Sequence, residues 1–206
     1  MYKKPIIVFE GIEGSGKSLH IRNVCNYLRK KKIKFVKFRE PGGTKNSEKI
    51  RKLILNNKSK FNKVTDLLLI LASRNENIVN IVKNNKGKKI ILVDRFIDSS
   101  LAYQHYGMGI SYNLINKINN FLLKNIIVNF TFLNLVNNKN LKKRLSKRKN
   151  LNRYDKFNLN FYTKVQKGFI KISKKNKKKY LLINSNTDIS TNKKIIIKKI
   201  DSLIKW

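Results

Sequence analysis

The sequence is poor in acidic residues and has almost no cysteine. It contains 11 aspartates and glutamates against 48 lysines and arginines, and its 206 residues include one cysteine, Cys25. A single cysteine excludes an intramolecular disulfide and fits a reducing compartment, so we expect a cytoplasmic protein. No apolar run approaches the roughly 20 residues of a membrane-spanning helix, and the run after Met1 is too short for a secretory signal. His20 and His105 lack partners at metal-ligand spacing, so no zinc site is expected.

The net charge of +37 has a simpler explanation than nucleic-acid recognition. The excess is lysine, spread over the whole chain together with abundant asparagine and isoleucine, and the codons of all three are rich in A and T. Coding bias is therefore a sufficient cause, and we expect only non-specific, salt-sensitive adhesion to nucleic acid. Against this background arginine is informative, because a guanidinium group grips phosphate bidentately and lysine does not.

Short, nearly continuous apolar runs alternate with longer stretches of helical periodicity. The apolar runs cover residues 6–9, 35–38, 90–93, 128–133 and 180–183. The helical stretches cover residues 19–28, 67–82, 114–123, 141–148 and 161–172. Thr65 and Ser111 are expected N-caps, and the segment from Lys193 to Trp206 is expected to form a closing helix with Trp206 packed on the body. The alternation predicts an α/β protein with a five-stranded parallel sheet, helices on both faces and one domain over residues 1–206.

The strongest motif lies directly after the first predicted strand and consists of Gly11, Ile12, Glu13, Gly14, Ser15, Gly16, Lys17 and Ser18. It matches the phosphate-loop pattern G-x-x-x-x-G-K-[ST] at every fixed position and opens a helix. Glycines let the backbone wrap phosphates, and the helix N-terminus favours anions. Lys17 is expected to reach the β- and γ-phosphates of ATP, and Ser18 to ligate Mg²⁺. The three-layer fold of P-loop NTPases is therefore predicted.

The absence of further motifs narrows the class of P-loop protein. The sequence has no Asn-Lys-x-Asp guanine motif and no long second domain of the kind that motor ATPases need. A small phosphotransferase is the remaining expectation. Asp94 ends the third predicted strand, where an acid can help to hold Mg²⁺. Arg39 and Arg95 follow two of the predicted strands and could clamp a second phosphate, while Arg74 projects from a helix toward the same edge.

Four segments in order, residues 9–18, 38–44, 67–74 and 94–104, give the chain a resemblance to a known family. Together they resemble bacterial thymidylate kinase, and the resemblance runs from the first strand to about residue 170. It implies phosphorylation of dTMP to dTDP with ATP and Mg²⁺, and a homodimer. The residues that it places around dTMP are Glu13, Arg39, Pro41, Ile70, Arg74, Arg95, Ser99, Ser100, Tyr103 and Gln104.

The resemblance also implies roles for individual side chains. Arg74 would bind the thymine carbonyl, and Ser100 and Gln104 would read the base edge. Tyr103 would crowd the 2′ position and disfavour ribonucleotides, and Glu13 would lie near the 3′-hydroxyl.

The chain departs from the family pattern at two positions. Ile70 stands where relatives usually carry a phenylalanine that stacks on thymine, so the stacking contribution is lost. Asn134 stands at the end of the fourth predicted strand, where relatives commonly carry an acid. Pro41, by contrast, fits the pattern and would follow a cis peptide bond.

A lid is predicted over residues 144–156, a segment dense in arginine. The phosphate loop has no arginine of its own, and in such family members the lid supplies one to the transferring phosphoryl group. Arg153 is the expected catalytic arginine, Arg148 is the next choice, and Arg144 is expected on the phosphates or near adenine. Lys17, Arg95, Asp94 and the lid arginine thus form the predicted catalytic set.

Two alternatives to a thymidylate kinase stay open from the residues. One is another kinase of this kind, either for a different nucleoside monophosphate or for a deoxynucleoside. Only the deoxynucleoside kinase would have to deprotonate a hydroxyl group of its acceptor. The other is a basic nucleic-acid-binding protein that retains the P-loop fold, although the sequence has no aromatic RNA-binding motif.

Overall fold

The computed structural model describes residues 3–205, so the predicted packing of Trp206 lies outside the described residues. Five strands form one parallel sheet in the order β2-β3-β1-β4-β5. The strands are β1 Ile6–Glu10, β2 Phe35–Arg39, β3 Ile90–Asp94, β4 Phe130–Leu135 and β5 Tyr180–Asn184. Each corresponds to one of the five predicted apolar runs, and the predicted parallel α/β fold is confirmed.

Helices connect all consecutive strands, as parallel pairing requires. They are α1 Lys17–Lys30, α2 Lys45–Leu55, α3 Lys63–Asn77, α4 Lys83–Asn85, α5 Ile97–Ser100, α6 Tyr112–Leu123, α7 Asn138–Ser146, α8 Leu159–Lys175 and α9 Ile189–Ile204. Two π-helical segments, Ile78–Val82 and Leu101–Gly107, continue α3 and α5, and a 3₁₀ turn, Arg153–Lys156, precedes α8. Within residues 3–205, no helix has the length and apolar character needed to cross a membrane.

The continuous apolar strands make sense because both faces of the sheet are covered. Successive side chains of a strand point to opposite faces. In β1, Ile7 and Phe9 pack against α1 and α9, while Ile6 and Val8 pack on the other face against the π-helical continuation of α3. Full burial of each such side chain contributes about 1.5–3 kcal/mol to folding, so the two-sided core fixes the position of β1.

The helix caps show where short-range signals decided the boundaries. Ser111 accepts a hydrogen bond from the Leu114 amide and caps α6, as predicted. The prediction for Thr65 is wrong, because Asn62 caps α3 by accepting from the amides of residues 64 and 65. Thr44 caps α2, a helix that was not among the predicted stretches.

The strand order places β1 between β3 and β4, so their carboxyl ends meet at the middle of one sheet edge. Glu10, Asp94 and Leu135 are the last residues of these three strands. Ligands of open parallel sheets bind beyond this edge, and the phosphate loop starts there.

Candidate functional site

The phosphate loop wraps tightly between β1 and α1. Gly11 has φ 138°, and a Cβ atom there would lie 2.3 Å from the Asn134 carbonyl oxygen, so glycine is required. The Lys17 ammonium folds back over the loop and donates to the carbonyls of Gly11 and Ile12, at 2.8 Å each. Burial, followed by repulsion from Arg95, lowers the pKa of Lys17 to about 8. An incoming anion would thus meet a desolvated cation held in place.

Ser18 and Asp94 form the pair suited to a metal ion. The Ser18 hydroxyl, on the first turn of α1, donates to Asp94 Oδ2 at 3.2 Å, across from the end of β3. Mg²⁺ in phosphotransferases is held by one or two carboxylates together with phosphates and water, whereas a zinc site needs several protein ligands. Among residues 3–205 no group of three or more histidines, cysteines or acids could hold a metal. The donor set therefore fits Mg²⁺ carried by a nucleotide.

A cavity of about 380 Å³ lies over the phosphate loop and is rich in guanidinium groups. We call it the phosphate cavity. Its arginines are Arg39, Arg51, Arg95 and Arg148. Arg51 was missed as a site residue; it stands on α2 and donates to the Pro41 carbonyl at 2.6 Å. The only sequence signal for it was that arginine is retained in a lysine-rich chain.

Arg95 stands at the centre of the site on strained backbone. Its φ of 67° lies in the left-handed region, which residues other than glycine adopt rarely and often at functional sites. Its guanidinium contacts Glu13 Oε1 at 2.8 Å and lies 5.1 Å from the centroid of the Tyr103 ring. Burial acts to lower the pKa of Arg95, but the Glu13 carboxylate and other anionic neighbours hold it above its usual value.

A second cavity adjoins the phosphate cavity and is called the acceptor pocket below. Its lining consists of Glu13, Glu40, Ile70, Arg74, Arg95, Phe96, Ser99, Ser100, Tyr103, Gln104 and Tyr154. Eight of the ten residues predicted around dTMP are in this lining. The other two, Arg39 and Pro41, lie outside it: Arg39 lines the phosphate cavity, and its side chain is 54% exposed beside Glu48.

Arg74 is held as a fixed part of the acceptor-pocket wall. Its side chain is 1% exposed, and it donates to Glu40 Oε2 at 2.8 Å, Asn119 Oδ1 at 2.7 Å and the Phe96 carbonyl at 2.9 Å. A guanidinium group has five N–H donors, so two remain for a ligand. The Ser100 hydroxyl is buried without a hydrogen-bond partner among the described residues, and it too can serve a ligand.

The segment between β2 and α2 supports this wall. The Glu40–Pro41 peptide bond is cis, as predicted. Glu40 is buried, and its pKa is raised by burial despite the opposing effect of Arg74. One Glu40 oxygen, Oε1, is buried without a hydrogen-bond partner within the described part of the chain, and Glu40 is part of the lining of the acceptor pocket.

The lid residues divide between the two ends of the site. Arg148 lines the phosphate cavity and pairs with Asp155. Arg144 donates to the Gly14 carbonyl at 2.8 Å and to the Ser185 carbonyl at 2.5 Å, which ties α7 to the loop. The ATP-binding roles expected of both residues stay predictions.

Arg153 is placed differently from its predicted position over the phosphates. It is absent from the lining of the phosphate cavity; instead it pairs with Asp66 and donates to the Ile54 carbonyl at 3.1 Å. Asp66 is 3% exposed. A buried carboxylate needs a counter-charge, so it draws the guanidinium away from the cavity. Arg148, the second choice from the sequence, is the lid arginine that lines the phosphate cavity.

Comparison with known proteins agrees with this geometry. The family model for thymidylate kinase matches residues 9–196. The thymidylate kinase of Sulfurihydrogenibium sp. (strain YO3AOP1) is 38% identical over 193 residues, covering 93% of this chain and 94% of that protein. That of Mycoplasma capricolum subsp. capricolum is 37% identical over 187 residues, covering 89% and 88%. The chain belongs to the thymidylate kinase family.

The fold agrees with that of a family member of known structure. The crystal structure of thymidylate kinase from Ehrlichia chaffeensis superposes with a TM-score of 0.79 at 32% sequence identity, covering 97% of this chain and 99% of that chain. The two departures from the thymidylate kinase pattern are both buried in the site. Ile70 is 8% exposed in the acceptor pocket, and Asn134 is fully buried with its carbonyl against Gly11.

Glu10 is a supporting residue of the thymidylate kinase site that sequence reasoning missed. It is fully buried, and its carboxylate accepts from the amides of Phe96 and Ser99 at 2.8 and 3.2 Å and from the Ser99 hydroxyl at 2.6 Å. It thereby holds the turn that carries Arg95. The available signal was an acid that ends an otherwise apolar buried strand.

Asp98, beside Glu10, makes stability depend on pH. Burial and, next, repulsion from Glu10 raise the pKa of Asp98 from 3.8 to about 7, while its Oδ2 accepts from the Tyr180 hydroxyl at 2.8 Å. Between these two pH values the unfolded chain releases the proton and the folded chain keeps it. The contribution to stability is therefore full at low pH and is lost as pH rises through about 7.

We expect Asp98→Asn, which cannot ionise, to gain stability relative to the parent protein as pH rises toward 7. Urea unfolding at several pH values between 5 and 8 measures the difference in free energy of unfolding. Glu76→Gln on α3 is the control for loss of one negative charge. Parallel pH profiles of parent and Asp98→Asn would contradict the expectation.

Proposed function

We propose that the chain transfers the γ-phosphoryl group of ATP to the phosphate of dTMP. One observation carries the proposal: the phosphate cavity and the acceptor pocket share part of their lining. The shared residues are Glu13, Glu40, Arg95 and Tyr154. A donor phosphate on the loop and an acceptor phosphate at Arg95 would meet there, as direct transfer between two anions requires.

The phosphate loop and the residues around it are suited to hold the phosphates of the donor, ATP. Backbone amides and the α1 N-terminus would bind the β-phosphate, and Lys17 would turn from its carbonyl partners to the β- and γ-oxygens. Ser18 and Asp94 would hold Mg²⁺, and the Asp94 carboxylate would do so either directly or through a water molecule. Bound there, the ion would neutralise charge on the β- and γ-phosphates.

The acceptor needs no general base. A phosphate dianion is already a nucleophile, so one of its oxygens forms a bond to the γ-phosphorus as the bond to the ADP oxygen breaks. Arg95, Arg51 and Arg39 would offset the charge of the acceptor phosphate. Arg148 would approach the transferring group from the lid, where a positioned arginine is worth on the order of 10³–10⁵ in rate.

The acceptor pocket suits a pyrimidine deoxynucleotide. Arg74 keeps free donors for a base carbonyl, and Ser100 and Gln104 lie beside it. Tyr103 is 4% exposed, and its hydroxyl donates to Glu13 at the sugar end of the pocket. Ile70 can cover the base but supplies no aromatic stacking.

An ADP-release assay with dTMP, dUMP, dCMP and thymidine as acceptors tests the proposal. We expect turnover with dTMP and none with thymidine. A single methyl group in a pocket is worth about 10–200-fold, so dUMP should be a measurable but poorer substrate. Turnover of thymidine without turnover of dTMP would overturn the proposal in favour of a nucleoside kinase.

We also propose that residues 1–206 act as one kinase domain in the cytoplasm and that two copies associate. Support for association comes from α3 and its π-helical continuation, where Val64, Leu68 and Val79 are 42%, 53% and 44% exposed. Apolar side chains repeated along one helix face suit a protein partner. Sedimentation velocity at micromolar concentration would detect a monomer if the two copies do not associate.

The lysine-rich surface is expected to bind nucleic acid only non-specifically, and the bound nucleic acid should dissociate as the salt concentration rises.

A further inference from the structure

Tyr154 joins the lid to the acceptor pocket. It belongs to the 3₁₀ turn Arg153–Lys156, is 8% exposed and lines both cavities. Its hydroxyl lies 3.3 Å from Gln104 Nε2 and 3.3 Å from Asp66 Oδ2. A lid side chain therefore touches a residue of the base pocket directly.

Asp66 fixes the direction of both hydrogen bonds of the Tyr154 hydroxyl. Asp66 is a carboxylate paired with Arg153, so it can only accept. The single hydroxyl proton of Tyr154 must then point to Asp66, and the Tyr154 oxygen must accept from its other neighbour. Burial, followed by the charge of Asp66, raises the pKa of Tyr154, which keeps the hydroxyl neutral.

This order settles the orientation of Gln104. Because the Tyr154 oxygen accepts, the Gln104 side chain must present its NH₂ group to the lid. Its carbonyl Oε1 is then the group that can accept from a ligand. Thymine and uracil carry a ring N3–H donor, whereas cytosine has an unprotonated acceptor at the same ring position.

We propose that a chain of hydrogen bonds from Asp66 through Tyr154 to Gln104 orients the Gln104 amide for an acceptor base that carries an N–H donor. Arg153 anchors the chain through its salt bridge to Asp66 and is a positioning residue rather than a catalytic one. The inference rests on the proposed function, since it names how that pocket selects its base.

The helix α3 provides the geometry for this arrangement. Asp66, Ile70 and Arg74 follow one another at four-residue intervals, so they share one face of the helix. Arg153 is further fixed by its bond to the Ile54 carbonyl and lies 5.4 Å from the Tyr154 ring centroid. The lid and the wall of the acceptor pocket are thus connected through one buried carboxylate.

The test compares kcat/KM for dTMP with kcat/KM for dCMP in Tyr154→Phe, Asp66→Ala and the double variant. Each single variant frees the Gln104 amide to rotate, so the dTMP preference should fall about tenfold, the effect of one lost hydrogen bond to a buried group. The dTMP preference should fall no further in the double variant, because both substitutions break the same chain of hydrogen bonds. Arg153→Ala should lower the preference in the same direction, and Lys156→Ala, an exposed residue of the same turn, should leave it unchanged.

Three outcomes separate the possibilities. A rise in KM for both acceptors with an unchanged preference would show that Tyr154 and Asp66 only support the fold, and would overturn the inference. A loss of kcat near 10³-fold in Arg153→Ala, with Asp66→Ala unaffected, would make Arg153 a phosphate-binding residue and would also overturn it. Absence of dTMP turnover by the parent protein would instead refute the proposed function. Melting temperatures of all variants identify any that fail to fold.

Discussion

Lys17→Ala is expected to lower kcat at least 10³-fold while the protein still folds. The ammonium group is held on the phosphate loop by two of the loop's carbonyls, at 2.8 Å from each of Gly11 and Ile12. In the transition state it would stabilise charge on the transferring group in a site that excludes water. Loss of one such preorganised group costs on the order of 10²–10³ in rate, and loss of a full charge costs more.

The measurement is steady-state ADP release, with thermal unfolding to confirm the fold. Lys30→Ala is the matched control, since it removes the same group from the exposed last turn of the same helix. We expect the control to retain full activity. A Lys17→Ala protein that turns over within tenfold of the parent would show that the loop does not hold the donor phosphates.

Arg95→Ala is expected to lower kcat/KM for dTMP by about 10³-fold, the effect of removing a buried charge from the acceptor phosphate. The ATP KM should change less than the dTMP KM. Arg95, anchored to Glu13 at 2.8 Å, lines both cavities, but the phosphate loop and Lys17 would still hold the donor. Arg95→Lys should recover only part of the loss. An ammonium group cannot bridge Glu13 and a phosphate in the planar, bidentate way that a guanidinium can.

Separate titrations of ATP and dTMP in the ADP-release assay distinguish the two sides of the site. Arg22→Ala, on the exposed side of α1, controls for the loss of one arginine. If Arg95→Ala raised the ATP KM and left the dTMP KM unchanged, Arg95 would belong to the donor site, and the arrangement of the two phosphates proposed here would be wrong.

The parts of the candidate site that could be predicted from the sequence are those encoded locally. The phosphate loop is eight consecutive residues whose glycines dictate one backbone path, and Gly11 leaves no room for a side chain. Five apolar runs gave five strands, most clearly the central strands β1, β3 and β4, which are buried on both faces and therefore nearly continuously apolar. The turn after β3 was likewise recognisable, since Asp94 and Arg95 close an apolar run.

Residues that distant segments of the chain bring to the site could not be predicted from the sequence. Arg51 enters the phosphate cavity only because α2 packs beside the loop, and the partners that give Glu10 its supporting role lie 86 and 89 residues later in the chain. Thr65 satisfied the composition of an N-cap, but Asn62 lay closer to the true start of α3 and captured the free amides.

By itself the sequence determined the parallel α/β fold and predicted the donor side of the site, because both follow from contiguous patterns of glycine, lysine and apolar residues. Only the tertiary structure decided which lid arginine lines the phosphate cavity. Asp66 lies 87 residues before Arg153, and its burial on α3 draws that guanidinium out of the cavity and leaves Arg148 there. A buried charge pairs with the opposite charge that the fold brings close to it in space. Because the two residues are far apart in the sequence, no local sequence pattern predicts the pair.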